Sequence, residues 1–358
     1  MNKRLGILFL SPMMLQISTF YLASWYCRLH GDRNAVDAVV LSDVHLLGHR
    51  RRNVLERVWS DWQIMISVMV VVHVHRPKLL IVLGDQLDEG GFPTQQRYVR
   101  RFFGIFSHPR VKTLFVLGNH DVSLIFQEEL IRYENAFGAS NSVYHVNGAS
   151  FVVLNTIALD NDIPSRNIAK VQAQRFLSDL SRNWTKREHK VILLTHFPLY
   201  RVNDLDCGDF RRNERGHVTY LHPSWPYQVH HQVLSKNLST YLLETIRPSL
   251  VLSGHTHAYC ALHHPVRSEN ASNMSISEHT IPTFAWSQRP DPSYAVLQLN
   301  SSALSRIQLC YLPDERVIGT MYLFLIPILL VIFQASSLFK NPRAHRYFDQ
   351  VPNHIICT

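Results

Sequence analysis

Leu79-Leu80-Ile81-Val82-Leu83-Gly84-Asp85-Gln86-Leu87-Asp88-Glu89-Gly90 is an apolar run that halts at a glycine and a carboxylate. Apolar residues without alternation mark a strand covered on both faces, as in a parallel sheet with helices over it. The pattern recurs along the chain. Residues 38–41 lead into Asp43-Val44-His45, 113–117 into Gly118-Asn119-His120-Asp121, 191–194 into His196, and 250–252 into Gly254-His255-Thr256-His257. Amphipathic stretches that predict helices lie between, at 51–75, 95–106, 123–137, 167–180 and 232–245, with further strands expected over 150–155, 294–299 and 305–311. Such alternation predicts an α/β layered domain. Open α/β sheets bind ligands beyond the carboxyl ends of their strands, so five loops can project their Asp, Asn and His into one crevice.

The chain has 358 residues, 46% hydrophobic and 18% charged, a balance that suggests a globular protein carrying some membrane-grade sequence. That sequence is found by position. Residues 317–338, VIGTMYLFLIPILLVIFQASSL, carry no charge and are long enough to cross a bilayer core. Pro327 is tolerated in such a helix. Residues 5–27 are also apolar and follow Lys3 and Arg4, which reads as a signal anchor, since no small-x-small cleavage site precedes Arg28. Lys3 and Arg4 before the first segment, and Lys340, Arg343 and Arg346 after the last, place both termini in the cytoplasm and the middle in the lumen. Sequons at Asn183, Asn237, Asn270, Asn273 and Asn300 all fall between the two segments. The expected organisation is an N-terminus with its anchor over 1–37, a lumenal α/β domain over 38–312, a transmembrane segment over 313–339 and a cytoplasmic tail over 340–358.

The net charge of +9 comes partly from Arg50-Arg51-Arg52, Arg100-Arg101 and Arg211-Arg212. With no aromatic-interleaved stripe and no zinc-finger spacing, these read as solvated surface, and nucleic acid is not an expected partner. The five cysteines form no C-x-x-C, which excludes a zinc knuckle and a redox motif. In a lumenal domain Cys207, Cys260 and Cys310 supply one disulfide and leave one thiol over. Residues 198–226 form a long loop whose Asp204, Asp206 and Asp209 are candidates to attract a cationic substrate group.

Carboxylate oxygen and neutral imidazole nitrogen suit first-row divalent ions such as Mn, Fe or Zn. Two such ions clamp a phosphate and acidify a bound water. The series D-V-H at 43–45, G-D-Q-L-D-E-G at 84–90, G-N-H-D at 118–121, H-F-P-L-Y at 196–200 and G-H-T-H at 254–257 resembles the calcineurin-like metallophosphoesterase superfamily. The resemblance implies a four-layer sandwich, two packed mixed β-sheets flanked by helices. It also implies a dinuclear metal-dependent phosphoric ester hydrolase. Asp43, His45, Asp85 and His257 would hold one metal, and Asp85, Asn119, His196 and His255 the other, with Asp85 as the bridge. His120 would act on the leaving oxygen and Asp88 would orient it.

Ser107-His108-Pro109, L-S-G-H-T-H at 252–257 and Cys310-Tyr311-Leu312-Pro313 extend the similarity to a membrane-anchored branch of that superfamily. That branch removes the ethanolamine-phosphate side branch from a mannose of glycosylphosphatidylinositol (GPI) anchors. It implies manganese as the metal, GPI-anchored proteins or their glycan as substrate, and cargo receptors of the early secretory pathway as partners. Residence at ER exit sites, the ER–Golgi intermediate compartment and the cis-Golgi follows from the same resemblance, although residues 353–358 lack the basic retrieval signal expected there. Two alternatives stay open: the same chemistry on a nucleotide or another phospholipid headgroup, and a non-catalytic adaptor for GPI-anchored proteins.

Overall fold

A computed structural model describes residues 3–27, 38–91, 95–106, 111–123, 126–146, 148–160, 167–183, 190–212, 222–266, 274–299 and 304–338. The sequons at Asn270, Asn273 and Asn300 and the tail over 340–358 lie outside them. In chain order the elements are α1 (Lys3–Tyr26), β1 (Ala38–Leu41), α2 (Val54–His75), β2 (Leu79–Val82), α3 (Gln95–Phe106), β3 (Lys112–Phe115) and α4 (Gln127–Phe137). There follow β4 (Ser142–Val146), β5 (Ala149–Val153), α5 (Thr156–Asp160), α6 (Ile168–Asn183), β6 (Lys190–Leu194), α7 (Asp209–Arg212), α8 (Lys236–Ile246) and β7 (Leu250–Ser253). The last are β8 (Cys260–Val266), β9 (Met274–Thr280), β10 (Ser293–Leu299), β11 (Leu304–Tyr311) and α9 (Glu315–Leu338).

The apolar runs form the parallel centres of two mixed sheets, ordered β11-β10-β1-β2-β3 and β4-β5-β6-β7-β9-β8. Strands β1, β2 and β3 are parallel, as are β5, β6, β7 and β9, while β10, β11, β4 and β8 run antiparallel to their neighbours. Every site-bearing loop therefore leaves a parallel strand at its carboxyl end. Alternate residues of one strand enter different cores. Val40, Ile81, Leu114, Phe151, Ile192 and Leu252 belong to one apolar cluster, and Val39, Leu80, Val152, Leu193 and Val251 to another that also takes in helix residues such as Ile64, Phe102 and Leu242. The first is the layer between the sheets; the second lies under the helices. Burial on both faces is why these strands read as continuous Val, Ile and Leu.

Helix α2 starts where Asn53 and Glu56 form a reciprocal capping box, and it ends at Arg76 in the left-handed conformation. Ser235 caps α8 through the Leu238 amide. Among the described residues one stretch, Glu315–Ile332 of α9, is long and apolar enough to cross a membrane, and almost none of it is buried in protein. Pro327 sits inside that helix, as expected. The N-terminal apolar segment is helical too, and α1 packs against α2 and α9.

The cysteines correct the sequence expectation. Cys207 pairs with Cys260, and Cys310 is not left over, because it pairs with Cys27 just past the end of α1. The missing partner lies at the end of the anchor segment, outside the span from which a pair was expected. Residues 198–226 contain the short helix α7, and Asp204 is buried rather than facing a substrate. Arg201 lies 2.9 Å and Arg211 2.7 Å from its carboxylate, which also accepts from the Tyr227 hydroxyl at 2.7 Å. Asp209 pairs with Arg212 at 3.1 Å. Asp204 therefore knits the loop together.

Candidate metal centre

The loops after β1, β2, β3, β6 and β7 meet at one edge of the two sheets. Asp43, Asp85, His196 and His255 present ligand atoms within 4.8 Å of one another, and so do Asp43, His45 and His257. Asn119 joins the first group, its Oδ1 being 3.0 Å from His196 Nε2. Asp85 reaches both, with Oδ2 at 3.4 Å from His196 Nε2 and 3.6 Å from His45 Nε2. All seven predicted ligands thus converge, with Asp85 between the two halves.

The donor set fits cations. His196 Nδ1 sits 2.7 Å from the Leu83 carbonyl, which fixes a proton on Nδ1 and directs Nε2 toward Asn119 Oδ1 and Asp85 Oδ2. In the other half His45 Nε2 and His257 Nε2 approach to 3.2 Å, and Asp43 Oδ1, 3.5 Å from His257 Nε2, is buried with no hydrogen-bond partner. A buried carboxylate oxygen left without a hydrogen-bond partner is costly unless a positive charge lies beside it. Outer contacts orient the donors, as metal sites require. His255 Nε2 lies 2.9 Å from the His231 carbonyl, the His255 amide donates to Asp43 Oδ2 at 2.9 Å, and Arg289 donates to the His257 carbonyl at 2.8 Å.

Protonation follows the same field. Burial, and then the charge of His196, lowers His255 to about 3, and burial lowers His257, so both stand as neutral imidazoles. Burial also works against a charge on His196, yet the neighbouring Asp85 carboxylate carries it up to about 9. Burial opposes ionisation of Asp85 as well, but His196 and His45 hold it well below the ordinary carboxylate range. A site that draws a proton onto a buried imidazole in this way attracts a divalent cation by the same charge.

His120 stands apart. Its side chain is 37% exposed, whereas His45 and His196 are enclosed, so it is open to an incoming substrate. Its Nδ1 lies 3.2 Å from the Asp88 carbonyl, and the Asp88 carboxylate stands between His45 Nδ1 at 3.5 Å and His120 Nδ1 at 3.9 Å. The His120 amide donates to Asp85 Oδ1 at 2.8 Å, which ties this histidine's backbone to the bridging carboxylate.

Asp121 closes the third sequence block with no role that its position suggests, and the structure supplies one. Its two oxygens accept from the Leu87 amide at 3.0 Å and the Gly118 amide at 2.9 Å, so it locks the Asp85 loop to the Asn119 loop. Burial, reinforced by the Asp85 charge, pushes it up to about 8. Ser42 and Thr283, which hold the Asp43 carboxylate and carbonyl, are not among the residues the sequence singles out, and Glu89, which accepts from the amides of Arg50 and Arg51, stands in the second block without a role of its own. Only position beside Asp43 could have flagged Ser42, and only position beside Asp88 could have flagged Glu89. Nothing in sequence flags Thr283.

Two mixed sheets with flanking helices, and an Asp/His/Asn cluster at the strand ends, define a metal-dependent phosphoesterase. The calcineurin-like phosphoesterase family model matches residues 37–259, and the chain belongs to that family. Metallophosphoesterase 1 of Mus musculus is 31% identical over 354 residues, covering 88% of this chain and 85% of the mouse protein. The protein of the same name from Danio rerio is 29% identical, covering 85% of this chain and 83% of its own. Among solved structures, a dimetal phosphatase from Danio rerio aligns at 10% identity with a TM-score of 0.47, covering 78% of this chain and all of that one.

Proposed function

We propose that this phosphoesterase is a membrane-anchored, lumenal phosphodiesterase that removes the ethanolamine-phosphate side branch from a mannose of GPI anchors, with manganese as its metal. The observation that carries the reading is the Cys27–Cys310 disulfide. It fastens the end of α1 beside the strand that feeds α9, so both apolar helices leave the catalytic domain from one place. Disulfides persist in oxidising compartments, which agrees with a domain facing the lumen. A domain held there works on substrates in the same membrane, and a lipid-anchored glycan is one. The likeness to Metallophosphoesterase 1 proteins and the sequons between the two helices support the same reading.

Asp43, His45, Asp85, Asn119, His196, His255 and His257 would hold two divalent ions, which would supply charge to grip the phosphate and acidify water. The chain's own residues do the rest. Leu83 and His231 hold the imidazoles of His196 and His255 through their carbonyls, so the ligand nitrogens do not turn as charge develops. The Asp88 carbonyl takes Nδ1 of His120, which leaves Nε2 to give a proton to the departing mannose oxygen. Early secretory residence and contact with cargo receptors belong to the same proposal.

The test uses the purified full-length protein, manganese and a GPI anchor bearing the branch, with products weighed by mass spectrometry. The expected result is metal-dependent release of phosphoethanolamine. Faster turnover of nucleotides would favour the broader phosphoesterase reading. Restoration of anchor remodelling in deficient cells by Asp85→Ala would favour an adaptor.

A further inference from the structure

Helix α2 carries an apolar stripe longer than the protein that covers it. Leu55, Val58, Trp59 and Trp62 fall at i, i+3, i+4 and i+7, one face of a helix. The tryptophan half is packed against the two terminal helices. Trp62 Nε1 donates to Gln16 Oε1 at 3.1 Å, the Tyr322 hydroxyl donates to the same oxygen at 2.7 Å, and Gln16 Nε2 donates to Gln63 Oε1 at 2.6 Å. Trp59 meets Tyr322 edge-on with ring centroids 5.7 Å apart. The other half has no such cover among the described residues: Leu55 is 81% exposed and Val58 61%, with Val54 beside them also 61% exposed.

We infer that this first turn of α2 enters the lumenal leaflet of the bilayer that α9 crosses, and that its partner is a lipid surface with phosphate headgroups. The inference rests on the membrane-anchored reading. Continuity argues for lipid. The Trp59–Tyr322 pair joins the stripe to α9, whose next residues, Leu323 and Phe324, are exposed apolar side chains in the segment fit to span a membrane. Trp and Tyr gather at the membrane–water boundary, so Trp59, Trp62 and Tyr322 mark that boundary and Leu55 lies one turn from it. Charge agrees as well, since Arg51 and Arg52, both exposed, precede the turn and suit headgroup phosphates.

This seating reaches the metal centre. Glu89, next to Asp88, accepts from the amides of Arg50 at 3.3 Å and Arg51 at 3.1 Å, so the arginine loop is pinned to the loop that carries the site. The Asp88 side of the centre is thereby held beside the leaflet, where a substrate with a lipid tail presents its headgroup.

A bimane label at Leu55→Cys, in a Cys357→Ser background, reads the depth of this turn. The protein is placed in nanodiscs of phosphatidylcholine and phosphatidylserine containing nitroxide-labelled lipids. Labels at Ile328→Cys on α9 and Tyr241→Cys on α8 serve as references. The expected result is loss of most of the fluorescence at Leu55 and Ile328 and none at Tyr241, with shallow nitroxides quenching Leu55 more than deep ones. Quenching at Ile328 without quenching at Leu55 overturns the inference and leaves the anchored reading standing, with solvent or a second copy of the chain over the turn. Absence of quenching at Ile328 removes both. Equal quenching at Tyr241 overturns the inference too, since contact with lipid would then not be confined to this face.

Discussion

Gly118→Ala tests the centre without removing a ligand. A methyl at Gly118 would overlap Asp85 Oδ1 and the Asp85 amide, and would stand 2.9 Å from Asp85 Cα. Carbon atoms rest at roughly 3.5 Å or more, so relieving the crowding at that α-carbon requires the Asp85 backbone to retreat by about 0.6 Å. The amide and Oδ1 demand more. The obstacle is backbone, which cannot swing aside as a side chain can, and the two loops are already locked together by Asp121. Overpacking of this kind costs about 1–3 kcal/mol of stability. Its larger effect falls on geometry: a carboxylate that serves both halves of the site, displaced by about 1 Å, loses on the order of 100-fold in rate. The assay is turnover of a soluble aryl phosphodiester across a manganese titration, with urea unfolding measured in parallel. Gly104→Ala is the control, because a methyl there meets nothing within 4 Å on the exposed face of α3 and should add about 0.5–1 kcal/mol with activity unchanged. If Gly118→Ala keeps kcat/KM within a few-fold of wild type at every metal concentration, the placement of Asp85 between the two halves is wrong.

Non-reducing peptide mapping of protein made in a secretory system should recover Cys27 linked to Cys310 and Cys207 linked to Cys260. A free Cys27 would contradict the Cys27–Cys310 pairing, and a mature chain that begins after Cys27 would contradict a retained α1. Asp204→Asn should cost about 3–5 kcal/mol at neutral pH, because it leaves Arg201 and Arg211 buried without their counter-charge. Burial raises the Asp204 carboxyl, but Arg201, Tyr227 and Arg211 outweigh it and hold it below the ordinary value. Its contribution is therefore present above about pH 4 and fades as pH falls through the lowered value, so the gap to wild type in urea unfolding should narrow in acid. Chelation should lower the melting temperature, since ions at 100 times their dissociation constant stabilise by about 2.7 kcal/mol; no shift would argue against resident metal. His120→Ala should lower kcat by on the order of 100-fold or more with metal content unchanged, and measuring both on one preparation separates an acid from a ligand.

The central strands were legible because they are buried on both faces, and the runs at 38–41, 79–83 and 191–194 sit within a residue or two of β1, β2 and β6. Helix α3 was legible end to end from its amphipathic pattern. Strands β4, β8 and β9 were not foreseen. Strand β8 is an edge strand with Pro265, where a missing N–H does no harm, so its composition reads as loop. Strand β9 alternates Ile276, Glu278 and Thr280 toward the interior, and the buried glutamate hides the period. Glu278 is tolerated there because it accepts from the Leu199 amide at 2.9 Å and Ser253 at 2.8 Å and meets His264 at 2.8 Å, partners that only the fold assembles. The candidate ligands that converge at the sheet edge were readable as local blocks. Their clamps come from elsewhere in the chain, as Thr283 does for Asp43 and Arg289 for His257.

Five of the seven candidate ligands, Asp43, His45, Asp85, His255 and His257, have φ between 44° and 72°. Asp, Asn and His tolerate the left-handed region better than other residues with a Cβ, but it still costs free energy at each position. The D-x-H and H-x-H spacing follows from this. A strand continued straight would send Asp43 and His45 on past the sheet edge, whereas a left-handed turn at each folds the backbone over the strand ends and directs both side chains into the crevice. The turned conformation is held by bonds that do not involve a metal: the Asp43 amide donates to the Gly84 carbonyl at 3.2 Å and the His45 amide to the Asp85 carbonyl at 2.9 Å, linking the first two loops. The centre is thus preorganised by backbone, and cation binding need not supply the energy to bend the chain. Substituting Asp43 by a β-branched residue should then reduce stability as well as metal affinity, while Asp43→Asn, which keeps the left-handed preference, should spare the fold and lose the metal.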